Sequence, residues 1–213
     1  MRKILIICCV MSFLLPIKAK SVRDAWLSMP KSLVPYLNAN LRLECVELKD
    51  MKLQAEVRNL LGGDTVLDTL TADYLHVTLN EATTLEMKLL PVEDGDSILC
   101  VVKTVAAPEK DSEVWFYSTD WQPLREQQEQ MDELLENLSG SLTNRPDTMT
   151  QTRYEALVEM IDPVMYEACL SPEEDVLSFH LSLPFLNKEE RAELSPLLSQ
   201  RKFKWNGHSF NDY

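Results

Sequence analysis

The side chains able to carry chemistry are few and scattered. His76, His180 and His208 lie far apart, and none sits at the H-x-x-x-H spacing that brings two imidazoles to one metal. His76 and His180 fall on the polar positions of alternating segments, where a strand holds them solvated or singly hydrogen-bonded unless two meet across a sheet. Nucleophilic hydrolysis needs a serine or cysteine beside a base, commonly on a strained G-x-S-x-G turn. No such stretch occurs, and Gly140-Ser141 lies in a plain linker. Cys45, Cys100 and Cys169 would act as thiolates only in an exposed, electropositive setting. LRLECVELKD and YEACLSPEED are acidic instead, which favours the neutral thiol. Glu93, Asp94 and Asp96 in VEDGDS suit a hairpin turn better than a calcium loop, because the later glutamate that completes such a loop is missing. Five glycines leave little material for a phosphate-binding loop. No catalytic residue, cofactor-binding residue, cofactor or metal ligand is therefore assigned. The 34 Asp and Glu residues keep open an enzyme that uses paired carboxylates as general acid and base, but no pair is singled out. The densest aromatic group, Trp115, Tyr117 and Trp121 in EVWFYSTDW, is the candidate ligand or partner surface. Such rings stack on sugars or anchor protein partners, core packing being the competing role.

These residues must be positioned by an α+β fold. SVRDAWLSMPKSLVPYLNAN suits short helical turns cut by Pro30 and Pro35, and Leu41, Cys45 and Leu48 mark one face of a helix up to Asp50. From Lys52 the period drops to two. Leu53, Ala55 and Val57 alternate with charged residues, then Leu75, Val77 and Leu79, then Leu85, Met87 and Leu89 against Glu86 and Lys88. SILCVVKTV is apolar on both faces, as a covered central strand requires. Short alternating segments joined by tight turns predict an antiparallel meander over about Lys52 to Thr119. A helix follows from Leu124 to Leu138, and a second is expected to start at a Thr152–Glu155 capping box. MYEACL, DVLSFHLSL, a helix capped by Asn187 and Glu190, and RKFKWNGHSF as one closing strand make a C-terminal ββαβ unit. The expected divisions are 1–19 as a signal peptide, 20–138, a linker at 139–151, and 152–213 packed on the first part.

Arg2 and Lys3, an apolar run from Ile4 to Ile17 and then Lys18-Ala19-Lys20 have the layout of a secretory signal, with cleavage expected after Ala19. As a helix that run reaches about 21 Å, short of the roughly 30 Å hydrocarbon core, so no stable membrane span is expected in the mature chain. A buried N-terminal helix is the alternative. Cys8 and Cys9 stand inside the run, too early for a lipid-anchored cysteine. Net charge is −13 with 21 Lys+Arg against 34 Asp+Glu. Loss of Arg2, Lys3 and Lys18 takes it to about −16, which disfavours nucleic acid and anionic membranes. Three remaining cysteines permit at most one bridge.

The stretches NANLRLECVELKDM, AEVRNLLGGDTVLDTLTADYLHVTLNEATTLEMKLLP, VWFYSTDWQPL and DPVMYEACLSPEEDVLSFHLSLPFLNKEE…FKWNG resemble an uncharacterised family of exported proteins from Bacteroides-type bacteria. The shared motifs are turns and strand faces and carry over no catalytic residue. The resemblance implies location in the periplasm or outer envelope of a Gram-negative bacterium. It also makes Ser or Thr after Asp with an apolar residue following a candidate for O-glycosylation, which here means Thr65, Thr69, Ser97 and Thr148, ordinary Asp-Ser/Thr turn chemistry being the competing reading. The function expected is a non-catalytic binding or accessory protein with an unknown protein or carbohydrate partner, the alternatives being the carboxylate enzyme and a structural subunit of an envelope assembly.

Overall fold

Alternation with a period of two organises most of the molecule. The computed structural model describes residues 20–93, 95–183 and 186–213. The expected signal segment, its cleavage point after Ala19, Cys8, Cys9 and Asp94 lie outside the described residues.

Helix α1 (Val22–Ser28) begins at a Ser21–Asp24 capping box, and α2 (Ala39–Asp50) begins at Asn38, whose side chain accepts the Leu41 N–H. The strand expected from Lys52 does not start there. Lys52 N–H returns to Lys49 O (3.0 Å) and Leu53 N–H to Leu48 O (3.0 Å), with Lys52 at φ 58°. That is a left-handed helix ending, so Leu53 is thrown outward and is 55% exposed. The first strand shrinks to β1 (Glu56–Arg58).

β2 (Asp64–Leu70), β3 (Tyr74–Asn80), β4 (Thr83–Pro91), β5 (Ser97–Ala106) and β6 (Lys110–Ser118) follow, each antiparallel to the one before, in a six-stranded sheet ordered as in sequence. Next come α3 (Arg125–Leu138), a 3₁₀ turn at Ser139–Ser141, and α4 (Gln151–Val158). Helix α4 is capped by Thr150, which accepts the Arg153 N–H, and not by the Thr152 box. The Ser/Thr-rich stretch before it is packed: Leu142 is fully buried and Thr143 bridges to Leu198.

β7 (Met165–Leu170), β8 (Val176–Ser182), α5 (Lys188–Leu194), β9 (Arg201–Trp205) and β10 (Phe210–Asp212) complete the chain. The helix α5 carries the Asn187–Glu190 box expected for it. RKFKWNGHSF is a hairpin and not one strand: Gly207 takes φ 100° and Phe210 pairs with Trp205. Only glycine adopts that backbone at little cost. The second sheet runs β10-β9-β8-β7.

The six-stranded sheet is buried on both faces, giving the mixed α+β architecture that the alternation predicts. Leu75, Val77, Met87 and Val101 meet Trp26 and Val46 from the two N-terminal helices. On the other face Cys100, Val102 and Phe116 meet Phe179 and Phe203 of the second sheet and Met131 of α3. Each large apolar side chain so removed from water contributes about 1.5–3 kcal/mol.

Both sheet edges nearest this seam are closed by side chains or loop backbone. At the β6 edge, Ser118 N–H donates to Gln122 O (2.8 Å), Leu124 N–H to Phe116 O (3.0 Å), and Gln128 Nε2 to Val114 O (3.1 Å). At the β7 edge, Ala168 N–H donates to Ser112 Oγ (2.9 Å) and Leu170 N–H to Glu86 Oε2 (2.7 Å). Edges occupied in this way are less open to pairing with another chain.

Candidate functional site

Trp115 and Tyr117 alternate with Phe116 along β6, so the two sit on its helix-facing side while Phe116 points into the seam. The chain then turns sharply, with Trp121 at φ 63°, and re-enters beside β6 through the Tyr117–Pro123 bridge. Because β6 ends the sheet, side chains from both its faces open onto one groove. That groove has a volume of about 330 Å³ and is lined by Trp115, Phe116, Tyr117, Pro123, Leu124, Arg125 and Gln128.

Trp115 and Tyr117 are half-buried there, and Arg125 is exposed at the rim. Burial raises the Tyr117 phenol above its ordinary value, so at neutral pH it is a neutral O–H donor. The wall is thus apolar and aromatic with a guanidinium beside it, which suits a sugar ring or a side-chain anchor. Trp121 is placed differently from its two neighbours. It is 7% exposed, packs on Tyr117 at 5.2 Å between ring centroids, and donates its indole N–H to Ala25 O (3.0 Å). It supports the groove from below and offers no contact surface of its own.

A second, hydrophilic concavity of about 510 Å³ is lined by Ser141, Asn144, Ser199, Gln200, Arg201, Lys202, Asp212 and Tyr213, with Arg201 paired to Asp212. None of the candidate site residues proposed from the sequence lies in it.

The four Asp-Ser/Thr positions separate cleanly. Thr65 is fully buried, its hydroxyl donating to Leu79 O (2.7 Å) and accepting from Asn59 Nδ2 (3.2 Å), so no sugar can be carried there in the folded chain. This corrects the expectation for Thr65: Asp64 opens β2, and the next residue points inward. Thr69 and Ser97 are half-buried within strands, and Thr148 is exposed in a turn.

The histidines are separately engaged. His76 Nδ1 lies 3.0 Å from Asp68 Oδ2, His180 Nε2 lies 2.9 Å from Gln200 Nε2, and His208 Nε2 lies 3.4 Å from Glu126 Oε1. Among the described residues no group of three or more His, Cys, Asp or Glu could hold a metal ion. Cys45, Cys100 and Cys169 are unbridged. Burial, reinforced by Glu44, pushes the Cys45 thiol to about 11. Burial, reinforced by Glu86 and Glu167, pushes Cys169 to about 12. Cys100 is also raised, by burial and then by Glu86.

A cluster that the alternation conceals lies in the seam. Glu86 and Lys88 occupy the polar positions of TTLEMKLL, yet Glu86 is 9% exposed and Lys88 fully buried, because the second sheet covers that face. Lys88 Nζ meets Asp73 Oδ2 (3.2 Å), Asp175 Oδ1 (3.8 Å) and Pro172 O (3.4 Å), which pins the meander to the β7–β8 turn. Glu86 accepts the Leu170 N–H and a bond from the Tyr74 hydroxyl. Burial holds its carboxyl at about 7, opposed in part by those two bonds. One signal in the sequence points to this: SILCVVKTV is apolar on both faces, so a strand paired with it is covered on both faces too.

Fold and site define an α+β protein of two face-packed antiparallel sheets with an aromatic groove along one sheet edge. The chain belongs to the family described as protein of unknown function (DUF3256), whose model matches residues 14–210. The uncharacterised family resembled by the quoted motifs is consistent with this one. The same fold occurs in a domain of an uncharacterised protein from Porphyromonas gingivalis W83, at 23% identity and a TM-score of 0.69, covering 92% of this chain and 100% of that one. No curated protein matches the chain. Among the described residues no helix is long and apolar enough to cross a membrane.

Proposed function

We propose that this is an exported, non-catalytic binding protein of the cell envelope whose contact surface is the groove along β6. The observation that carries the proposal is the half-buried Trp115–Tyr117 pair lining about 330 Å³ of apolar space with Arg125 at the rim. Half-buried aromatics in a rigid, edge-closed frame bind with little ordering cost. Export is supported by the layout of residues 1–20 and by a structural neighbour from a Gram-negative bacterium. The enzyme alternative would call on Glu86, whose carboxyl burial raises to about 7, but a substrate could reach it only by parting the two sheets.

The test is crosslinking capture from the native envelope fraction, comparing wild type with Trp115→Ala/Tyr117→Ala. A protein or glycan recovered reproducibly by wild type and lost by the double variant supports the groove. Identical recoveries, or none, overturn it. The intact mass of native protein reads export, as the loss of 19 residues, and also whether a glycan sits at Thr148, proposed here as the modified position because its side chain is exposed to solvent. An unmodified, full-length mass rules out both.

A further inference from the structure

β7 is the edge strand of the second sheet, and its outward N–H groups at Ala168 and Leu170 have no strand to pair with. The six-stranded sheet answers them with two side chains, Ser112 at 2.9 Å and Glu86 at 2.7 Å. Among the described residues Glu86 is thus the ionisable side chain that accepts a backbone N–H of this edge, and it does so from a site 9% exposed. Ionisable neighbours approach from every side. Tyr74 comes from β3 along with His76, which is opposite Glu86 in register and held by Asp68 of β2. Cys100 comes from β5, Lys110 from β6, and Glu167 and Cys169 from β7. Lys88, on the same strand, is drawn away by Asp73 and Asp175. Lys110, the cation facing Glu86, is paired to Glu167. An ionised Glu86 therefore has no counter-ion of its own among the described residues.

We propose that this seam is a proton-operated latch, closed when Glu86 is neutral and loosened when it is ionised, with β7 as the part that moves. A neutral carboxyl still accepts the Leu170 N–H and avoids the cost of a buried, uncompensated charge. The carboxyl held at about 7 in the closed seam agrees with this. Its value is raised, so the extra stability it confers is complete below the ordinary value and is lost as pH rises through about 7.

The experiment is amide hydrogen exchange by NMR on the full chain at pH 5.5 and 8.5, corrected for intrinsic rates, in wild type and Glu86→Gln. For a carboxyl at 4.5 when open and about 7 when closed, the opening constant at Leu170 should rise about 30-fold over this interval, against no such rise at Val101 in the sheet centre. Glu86→Gln, neutral at all pH, should show no rise at Leu170. Equal pH responses of Leu170 in the two proteins overturn the latch. A second measurement needs no variant: the carboxyl carbon of Glu86 in wild type should titrate above pH 6 together with the Leu170 amide shift, and titration near 4.5 overturns the proposal.

Discussion

Arg42 is expected to be the most sensitive position in the N-terminal layer. It is almost wholly buried in α2, and its guanidinium donates to Leu37 O (3.1 Å), Leu27 O (3.3 Å) and Met29 O (2.8 Å). Two of those carbonyls end α1, where a cation also opposes the helix dipole. No carboxylate pairs with it among the described residues, and burial lowers its pKa from the ordinary arginine value. Three bonds to a charged donor are worth about 1.5–3 kcal/mol each, offset by several kcal/mol for removing the charge from water. Truncation also orphans two buried carbonyls and one part-buried carbonyl, so Arg42→Ala should cost about 3–5 kcal/mol. Arg42→Lys keeps the charge on a single nitrogen that cannot span all three acceptors, and should cost about 2 kcal/mol. Urea unfolding at pH 7 checks this, with Trp26, whose indole donates to Arg42 O at 3.2 Å, as a local fluorescent reporter. A loss under about 1 kcal/mol for Arg42→Ala at unchanged m-value would refute the clamp.

Two further expectations follow from local geometry. Lys52 holds φ 58° at the end of α2, so Lys52→Gly should raise stability by about 0.5–1 kcal/mol in thermal melts, and a lower midpoint would count against the left-handed ending. Raised thiols stay protonated, so with Cys45 at about 11 and Cys169 at about 12 neither should label with maleimide at pH 8 in native buffer, while both label in denaturant. Labelling of the native protein at the rate of a free cysteine would contradict that burial.

The meander was legible because a period of two assigns alternate residues to opposite faces whatever covers them. Leu75, Val77, Leu85 and Met87 share one face for that reason. The polarity of the opposite face is weaker information. Glu86 and Lys88 look solvated in TTLEMKLL because alternation records which residues face together, not what is packed on them. Their burial depends on a sheet nearly a hundred residues further on. Errors at element ends have shorter-range causes. Lys52 continues a charged alternation while its backbone still belongs to α2, and Thr150 outcompetes Thr152 as a cap by two residues. The aromatic group was visible in EVWFYSTDW, but which ring supports and which faces the groove depends on a left-handed turn at Trp121 that no side-chain pattern announces.

The bond from the Trp121 indole to Ala25 O joins positions 96 residues apart, and Val22 N–H reaches Ala72 O (3.2 Å) on the way. A chain made or threaded from its beginning therefore presents α1 early yet cannot complete its packing until the corner after β6 has emerged. Helix α1 can settle against α2 early, through the Arg42 and Trp26 bonds, but its cover stays incomplete until half the polypeptide has been delivered. Whatever escorts the nascent molecule would meet the part of that helix that α2 leaves open before the molecule itself could cover it.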